Sequence, residues 1–249
     1  MLEIYIFIIG TVIGSFVNVC IYRLPRNKSI IFPPSHCPNC KKPLGFLELI
    51  PVISYIFLMG RCQKCGCRIS VQYPAVELLC GMIFLILFET FGFSLEYLYY
   101  LMFSLTLVTL SFIDLNHQII PDKIIVFGLA VGIIMLMIIK PISFKSSLMG
   151  LLLGGGMMAL LAAVSRGGMG GGDIKLMAFV GMMVGFEKTL LALFLAFMLG
   201  GIFSIILVLL KIKSRKDYIP FAPFIGIAAF LTLIRGKQMI SWYLEKFIL

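Results

Sequence analysis

Eight apolar stretches of helical length run through the chain, near 2–22, 74–93, 95–113, 119–139, 146–164, 174–186, 189–210 and 221–235. Most approach the ~20 residues that a helix needs to cross a bilayer. Apolar residues make up 61% of the sequence, against about 45–50% in a soluble domain. The expected fold class is therefore an all-α polytopic membrane protein of about eight transmembrane helices. The sixth stretch is short for a span and is expected to be tilted, buried or half-embedded.

Charge then sets the orientation. The net charge is +10, which in a soluble chain would suggest nucleic acid. Here the basic residues concentrate in loops 23–73, 114–123, 165–175 and 211–220, and no nucleic-acid partner is expected. Only Lys140, Lys145, Lys188, Arg235, Lys237 and Lys246 lie elsewhere. By the positive-inside rule those four loops are cytoplasmic and the N-terminus is outside. Residues 2–22 follow no basic n-region, and Arg23, Arg26 and Lys28 come after them. That pattern reads as an uncleaved first span rather than a signal peptide. The expected organisation is a first span over 1–22, a cytoplasmic loop over 23–73 and a membrane core over 74–249.

Loop 23–73 carries Cys37-Pro-Asn-Cys40 and Cys62-Gln-Lys-Cys65. Two C-x-x-C pairs about twenty residues apart have the spacing of a four-thiolate zinc site. A segment too short to bury a core gains from a metal staple. Unrelated free thiols are the alternative, and Cys67 and His36 stand close enough in sequence to substitute as ligands. Between the knuckles, Leu47–Gly60 holds one charge, Glu48. It is too short to span and too apolar for a free loop, so an interfacial or re-entrant course is expected. Glu77 falls one turn into the second span, where it either complements the helix dipole or lines a site.

Two carboxylates have no such simple explanation. Asp173 ends the stretch Gly167-Gly168-Met169-Gly170-Gly171-Gly172-Asp173, with Lys175 just beyond it. An acid at the edge of a membrane segment is a functional candidate by default. Gly170, Gly171 and Gly172 leave the backbone bare, so another chain can approach it closely. Asp114 ends the third span, where it meets the negative end of a helix dipole. Asp122, after Pro121, is expected to cap the next helix. Asp114 and Asp173 lie on the same side at similar depth. If they meet they share a proton and perform aspartyl proteolysis. An ion-coupled transporter, or two independent structural carboxylates, would use the same residues. Dipoles alone favour Asp173 as the ionised partner and Asp114 as the protonated one.

The motifs together resemble the bacterial type IV prepilin peptidases, membrane aspartyl proteases with a G-x-G-D motif. The resemblance runs from Gly14-Ser15-Phe16-Val17-Asn18-Val19 with Arg23-Leu24-Pro25, through the paired C-x-x-C loop and Leu49–Tyr55, to Gly60-Arg61-Cys62. It continues with Tyr73-Pro74 and Glu77, Asp114…Pro121-Asp122, and Gly170–Leu176. Competence-type members from Gram-positive bacteria look most similar. The resemblance implies Asp114 and Asp173 as catalytic residues and Cys37, Cys40, Cys62 and Cys65 as zinc ligands. It implies prepilin and pseudopilin substrates, cleaved after a basic leader at the cytoplasmic membrane face. It also implies N-methylation of the new amino terminus with S-adenosylmethionine, although no G-x-G-x-x-G unit is present. A zinc-stapled secretion-platform scaffold is the non-catalytic alternative. Two positions depart from the family pattern, Gly171 and Ala222, and neither is expected to touch a catalytic group.

Overall fold

The structure is a computed structural model, describing residues 1–165, 169–214 and 217–247. Arg166, Gly167, Gly168, Arg215 and Lys216, which belong to the basic loops and the glycine stretch above, lie outside the described residues. The described chain is almost entirely helical. It divides into two compact units, Met1–Tyr97 and Leu98–Leu249.

The first unit is built on α1 (Leu2–Arg23) and α3 (Gln72–Phe91). They cross closely because Gly10 and Gly14 form a small-xxx-small pair. A Cβ on Gly14 would stand 2.7 Å from the Glu77 Cα, and one on Gly10 would stand 2.8 Å from the Gly81 Cα. Pro74 lies in the first turn of α3, where a missing N–H costs nothing. Gly92, at φ 60°, ends that helix. Between α1 and α3 the loop contains a 3-10 turn, Phe46–Leu49, and the short helix α2 (Ile53–Phe57). Phe46, Leu47, Ile56, Phe57 and Met59 are exposed there.

The second unit holds most of α4 (Leu95–His117), then α5 (Asp122–Ile139), α6 (Phe144–Val164), α7 (Gly171–Val184), α8 (Phe186–Leu209) and α9 (Ala222–Phe247). At its centre, α7 is buried along nearly its whole length, from Asp173 to Val184. Gly150 and Gly154 let α6 lie directly on it, since a Cβ at either position would overlap the carbonyl of Gly181 or Met177. Along α4, the Tyr99 hydroxyl donates to the Met183 carbonyl at 3.3 Å. The Phe103 and Phe179 rings meet at 5.6 Å. These two contacts set α4 and α7 antiparallel.

Among the described residues, seven helices are long and apolar enough to span a membrane: Leu2–Arg26, Gln72–Phe91, Leu95–His117, Asp122–Ile139, Phe144–Val164, Phe186–Leu209 and Ala222–Lys246. The expected count of about eight is met when the short sixth stretch is added to these seven. The sixth apolar stretch forms α7, which has 14 residues and rises only about 21 Å. It is the buried pillar of the second unit, shorter than the other seven, and it carries the chain from the Asp173 end to the start of α8. The last helix, by contrast, runs a dozen residues past its expected end at 235.

Candidate active site

Asp114 sits in the last turn of α4 and is 1% exposed, and Asp173 sits in the first turn of α7 at 3%. The antiparallel register of α4 on α7 brings them to the same end of the unit. Two further contacts pin that end. The α4–α5 turn presses Ile120 against Gly172, where a Cβ would come within 2.8 Å of the Ile120 side chain. Beside it, Lys175 Nζ pairs with Asp122 Oδ1 at 2.7 Å.

The glycines therefore have different surroundings. Gly170 is the N-cap of α7, and Gly171 and Gly172 are its first helical residues. Gly172 is needed for the Ile120 contact, whereas the space above Gly171 is open. A Cβ on Gly170 would face Asp173 Oδ2 at 3.4 Å and the Tyr218 hydroxyl at 3.9 Å. Asp122 is not a cap. Pro121 holds the N-cap position of α5, and the Asp122 carboxylate serves the ion pair with Lys175.

Hydrogen bonding around the two carboxylates is unequal. Asp114 Oδ2 accepts the Ala222 backbone N–H at 3.1 Å. Ala222 is the first residue of α9, so Asp114 gains an amide donor and the positive end of a 26-residue helix. The departure at Ala222 does touch the site, through its main chain. The Phe221 ring packs on Phe197 with centroids 5.2 Å apart, which holds the start of α9 in place. Asp173 Oδ1, in contrast, has no hydrogen-bond partner. Burial, followed by the charge of Asp114, pushes the Asp173 carboxyl up to about 6, and a hydrogen bond from the Gly170 backbone opposes this. An asymmetric pair of this kind can hold one proton, polarise a carbonyl and deprotonate a water.

Tyr218, in the loop before α9, is a neighbour that sequence reasoning missed. Burial and the charges of Asp114 and Asp173 push its phenol up to about 12, so it remains a hydrogen-bond donor. Its separation from Asp114 and Asp173 along the chain leaves no motif by which to find it.

The cysteines meet in the first unit. The Sγ atoms of Cys37, Cys40, Cys62 and Cys65 all lie within 4.8 Å of one another. Cys37 and Cys65 are 3.8 Å apart, and Cys40 and Cys62 are 3.9 Å apart. A tetrahedron with ~2.3 Å Zn–S bonds has edges of about 3.8 Å, so the thiols fit a zinc ion. The two knuckles are local copies. Lys41 N–H closes on the Cys37 carbonyl and Gly66 N–H on the Cys62 carbonyl, at 3.0 and 2.9 Å. Lys41 and Gly66 share a left-handed backbone, φ 59° and 67°. Lys42 Nζ bridges Glu48 at 3.0 Å and Gln63 at 3.2 Å, tying one knuckle to the other. The Gly45 amide and Lys42 together hold the Glu48 carboxyl below its usual range. His36 turns its Nδ1 to the Pro34 carbonyl at 2.9 Å. Cys67 Sγ stands 3.5 Å from Cys37 Sγ, a fifth thiol beside the four.

Residues 8–91 match the bacterial peptidase A24 N-terminal domain, and residues 101–205 match the type IV leader peptidase family. A protein of Bacillus subtilis named prepilin leader peptidase/N-methyltransferase is 36% identical, over 96% of this chain and 97% of its own length. The chain belongs to the type IV leader peptidase family. A protein of the same name from Aeromonas salmonicida is 30% identical, covering 98% of this chain and 94% of its own length. Another, from Myxococcus xanthus, is 36% identical over 84% of this chain and 64% of its own length. No solved structure matches. Membership makes this chain a multi-pass bacterial membrane peptidase. The two family matches fall almost wholly within the two compact units, the cysteine cluster in one and the carboxylate pair in the other.

Proposed function

We propose that this membrane peptidase removes the basic leader from type IV prepilins and pseudopilins at the cytoplasmic face of the plasma membrane, with Asp114 and Asp173 as its catalytic dyad. The observation that carries the reading is the unequal pair, one buried carboxylate bonded to a helix N-terminus and the other with a free oxygen. The amide and dipole at the start of α9 keep Asp114 charged, so it is the base that takes a proton from water. Asp173 carries the shared proton and donates it to the scissile carbonyl. The Tyr218 hydroxyl faces the same space and supplies a further donor to the substrate. Gly170, Gly171 and Lys175 border the approach, with Gly171 presenting bare backbone to an extended peptide, while Gly172 positions the α4–α5 turn.

The basic loops support an orientation with the N-terminus outside, which puts this end of the second unit on the cytoplasmic side. A basic leader halts on that side by the same rule. Cys37, Cys40, Cys62 and Cys65 are read as ligands of a structural zinc ion, because four protein thiolates leave no open coordination position. The apolar residues of Phe46–Met59 are read as resting in the membrane interface. After cleavage, the exposed amino terminus is N-methylated with S-adenosylmethionine, which supplies an electrophilic methyl group.

Mass spectrometry of the N-terminus of a co-expressed prepilin tests the whole reading. The expected product lacks its leader and carries an extra mass of about 14 Da, one methyl in place of hydrogen. Full cleavage by either Asp114→Asn or Asp173→Asn would remove the dyad from the mechanism.

A further inference from the structure

The start of α9 is gripped from two sides. On the α8 side, Gly200 makes room for the Phe221 ring, which a Cβ there would meet at 2.9 Å. On the α4 side, Ser111 and Asp114 lie one turn apart on the same face, and both reach Ala222. Asp114 Oδ2 takes the Ala222 N–H. The half-buried Ser111 hydroxyl donates to the Ala222 carbonyl, a long bond at 3.4 Å. A carbonyl has a second lone pair for such a donor besides its bond within the helix. The hydroxyl comes this close because Gly226 stands one turn further along α9. A Cβ on Gly226 would lie 2.8 Å from Ser111 Oγ, whereas its next neighbour, the Leu107 side chain, would be 3.8 Å away. Ser111 is thus what requires glycine at position 226.

We propose that Ser111 is a positioning residue for the carboxylate pair, holding Ala222 so that its amide stays on Asp114. The inference rests on the catalytic reading of Asp114 and Asp173. Other hydroxyls of α4 show what a serine there does without such a task. Ser104, Thr106 and Thr109 each donate to the carbonyl four residues back in their own helix, at 2.8, 2.9 and 2.8 Å. That is the ordinary outlet for a hydroxyl in an apolar helix. Ser111 instead turns across to α9 and accepts a longer bond there. The two contacts divide the work on Ala222. Asp114 draws charge stabilisation from the amide, and Ser111 fixes the residue that carries it, through a neutral bond. The amide therefore stays in register while the proton moves between the carboxylates, and a donor fixed in advance needs no reorganisation as charge develops. Tyr218 belongs to the segment leading into α9, so the same grip sets its place beside the pair.

The test is steady-state cleavage of a purified prepilin by the full-length protein in detergent, comparing Ser111→Ala, Gly226→Ala and the double variant. Ser111→Ala loses one long hydrogen bond and is expected to lower kcat by about three- to tenfold. KM should stay unchanged, because the serine acts through Asp114 and not on the substrate. Gly226→Ala is expected to cost more, about ten- to a hundredfold, because its Cβ drives Ser111 and the start of α9 apart. In the double variant the hydroxyl that it strikes is gone, so Gly226→Ala is expected to add no loss to that of Ser111→Ala. Such non-additivity is the mark of a shared contact. A monodisperse elution profile confirms that each variant is folded. If Gly226→Ala alone is not, a folded double variant with the kcat of Ser111→Ala gives the same result. A wild-type kcat in Ser111→Ala overturns the proposal, as does a loss confined to KM. A Gly226→Ala penalty that is equal with and without the Ser111 hydroxyl overturns the assigned contact. Asp114→Asn, assayed alongside, separates the two readings. Full cleavage by that variant removes the dyad, whereas its inactivity beside a fully active Ser111→Ala removes only the role of Ser111.

Discussion

Both units begin from the same device and end with different chemistry. In Met1–Tyr97, Gly10 and Gly14 draw α1 onto α3; in Leu98–Leu249, Gly150 and Gly154 draw α6 onto α7. Each crossing makes a rigid base beside buried acids, Glu77 in one and Asp173 in the other. The surroundings then diverge. Around Glu77 the neighbouring loop is held by four converging thiols and encloses a cavity. Beside Asp173 lies a second carboxylate, Asp114, which takes the Ala222 amide. A small, loop-rich unit gathers four thiols that fit a metal ion. A helix-rich unit fixes its site with backbone dipoles and ring packing.

The comparison breaks most sharply at the carboxylates. Asp114→Asn and Asp173→Asn should each lower leader cleavage by roughly 10²–10⁴-fold, measured on a purified prepilin, with zinc content unaltered. A matching loss of zinc would show that the carboxylates support the first unit's fold rather than catalysis. Next comes the metal. The wild type should hold about one equivalent of zinc, and the Cys37→Ser, Cys62→Ser double variant none, by elemental analysis. The third effect is of pH. Above its folded value near 6, Asp173 loses the proton that the mechanism needs. Cleavage should therefore fall as pH rises through that value, approaching tenfold per pH unit. A rate that climbs through the same range would assign the proton to another group. Tyr218→Phe should cost roughly tenfold in kcat with KM little changed, less than the 10²–10³ of a fully enclosed donor. The smallest effect belongs to Lys175→Ala. Its partner pair is exposed on both sides, so the loss should be within about 0.2–1 kcal/mol of stability.

The sequence makes much of this legible, for identifiable reasons. Span length, loop charge and C-x-x-C spacing are local properties, and they locate the helices, the thiol cluster and both aspartates. The two aspartates can be placed on one side of the membrane because side is set by counting spans. What escapes depends on contacts across long separations. The Ala222 amide reaches Asp114 over 108 residues, so local dipoles alone leave this donor out. The cavity draws on α1, the cysteine loop and α3, and no single motif carries its shape. The shortness of α7 is visible in the sequence, but its role is not. An apolar run too short to span is ambiguous until its neighbours are known, and here the glycines of α6 reveal it as an inner pillar.

The shortness of α7 has a further consequence, for the supply of water. Its 14 residues cover about 21 Å of a hydrocarbon layer ~30 Å thick. A hydrolase enclosed by lipid-facing helices must still deliver one water molecule per turnover to carboxylates that are almost wholly buried. A pillar about 9 Å shorter than that layer does not reach both of its faces. Asp173 stands in the first turn of that pillar. On the proposed catalytic reading, the missing turns at that end are the expected route for the water.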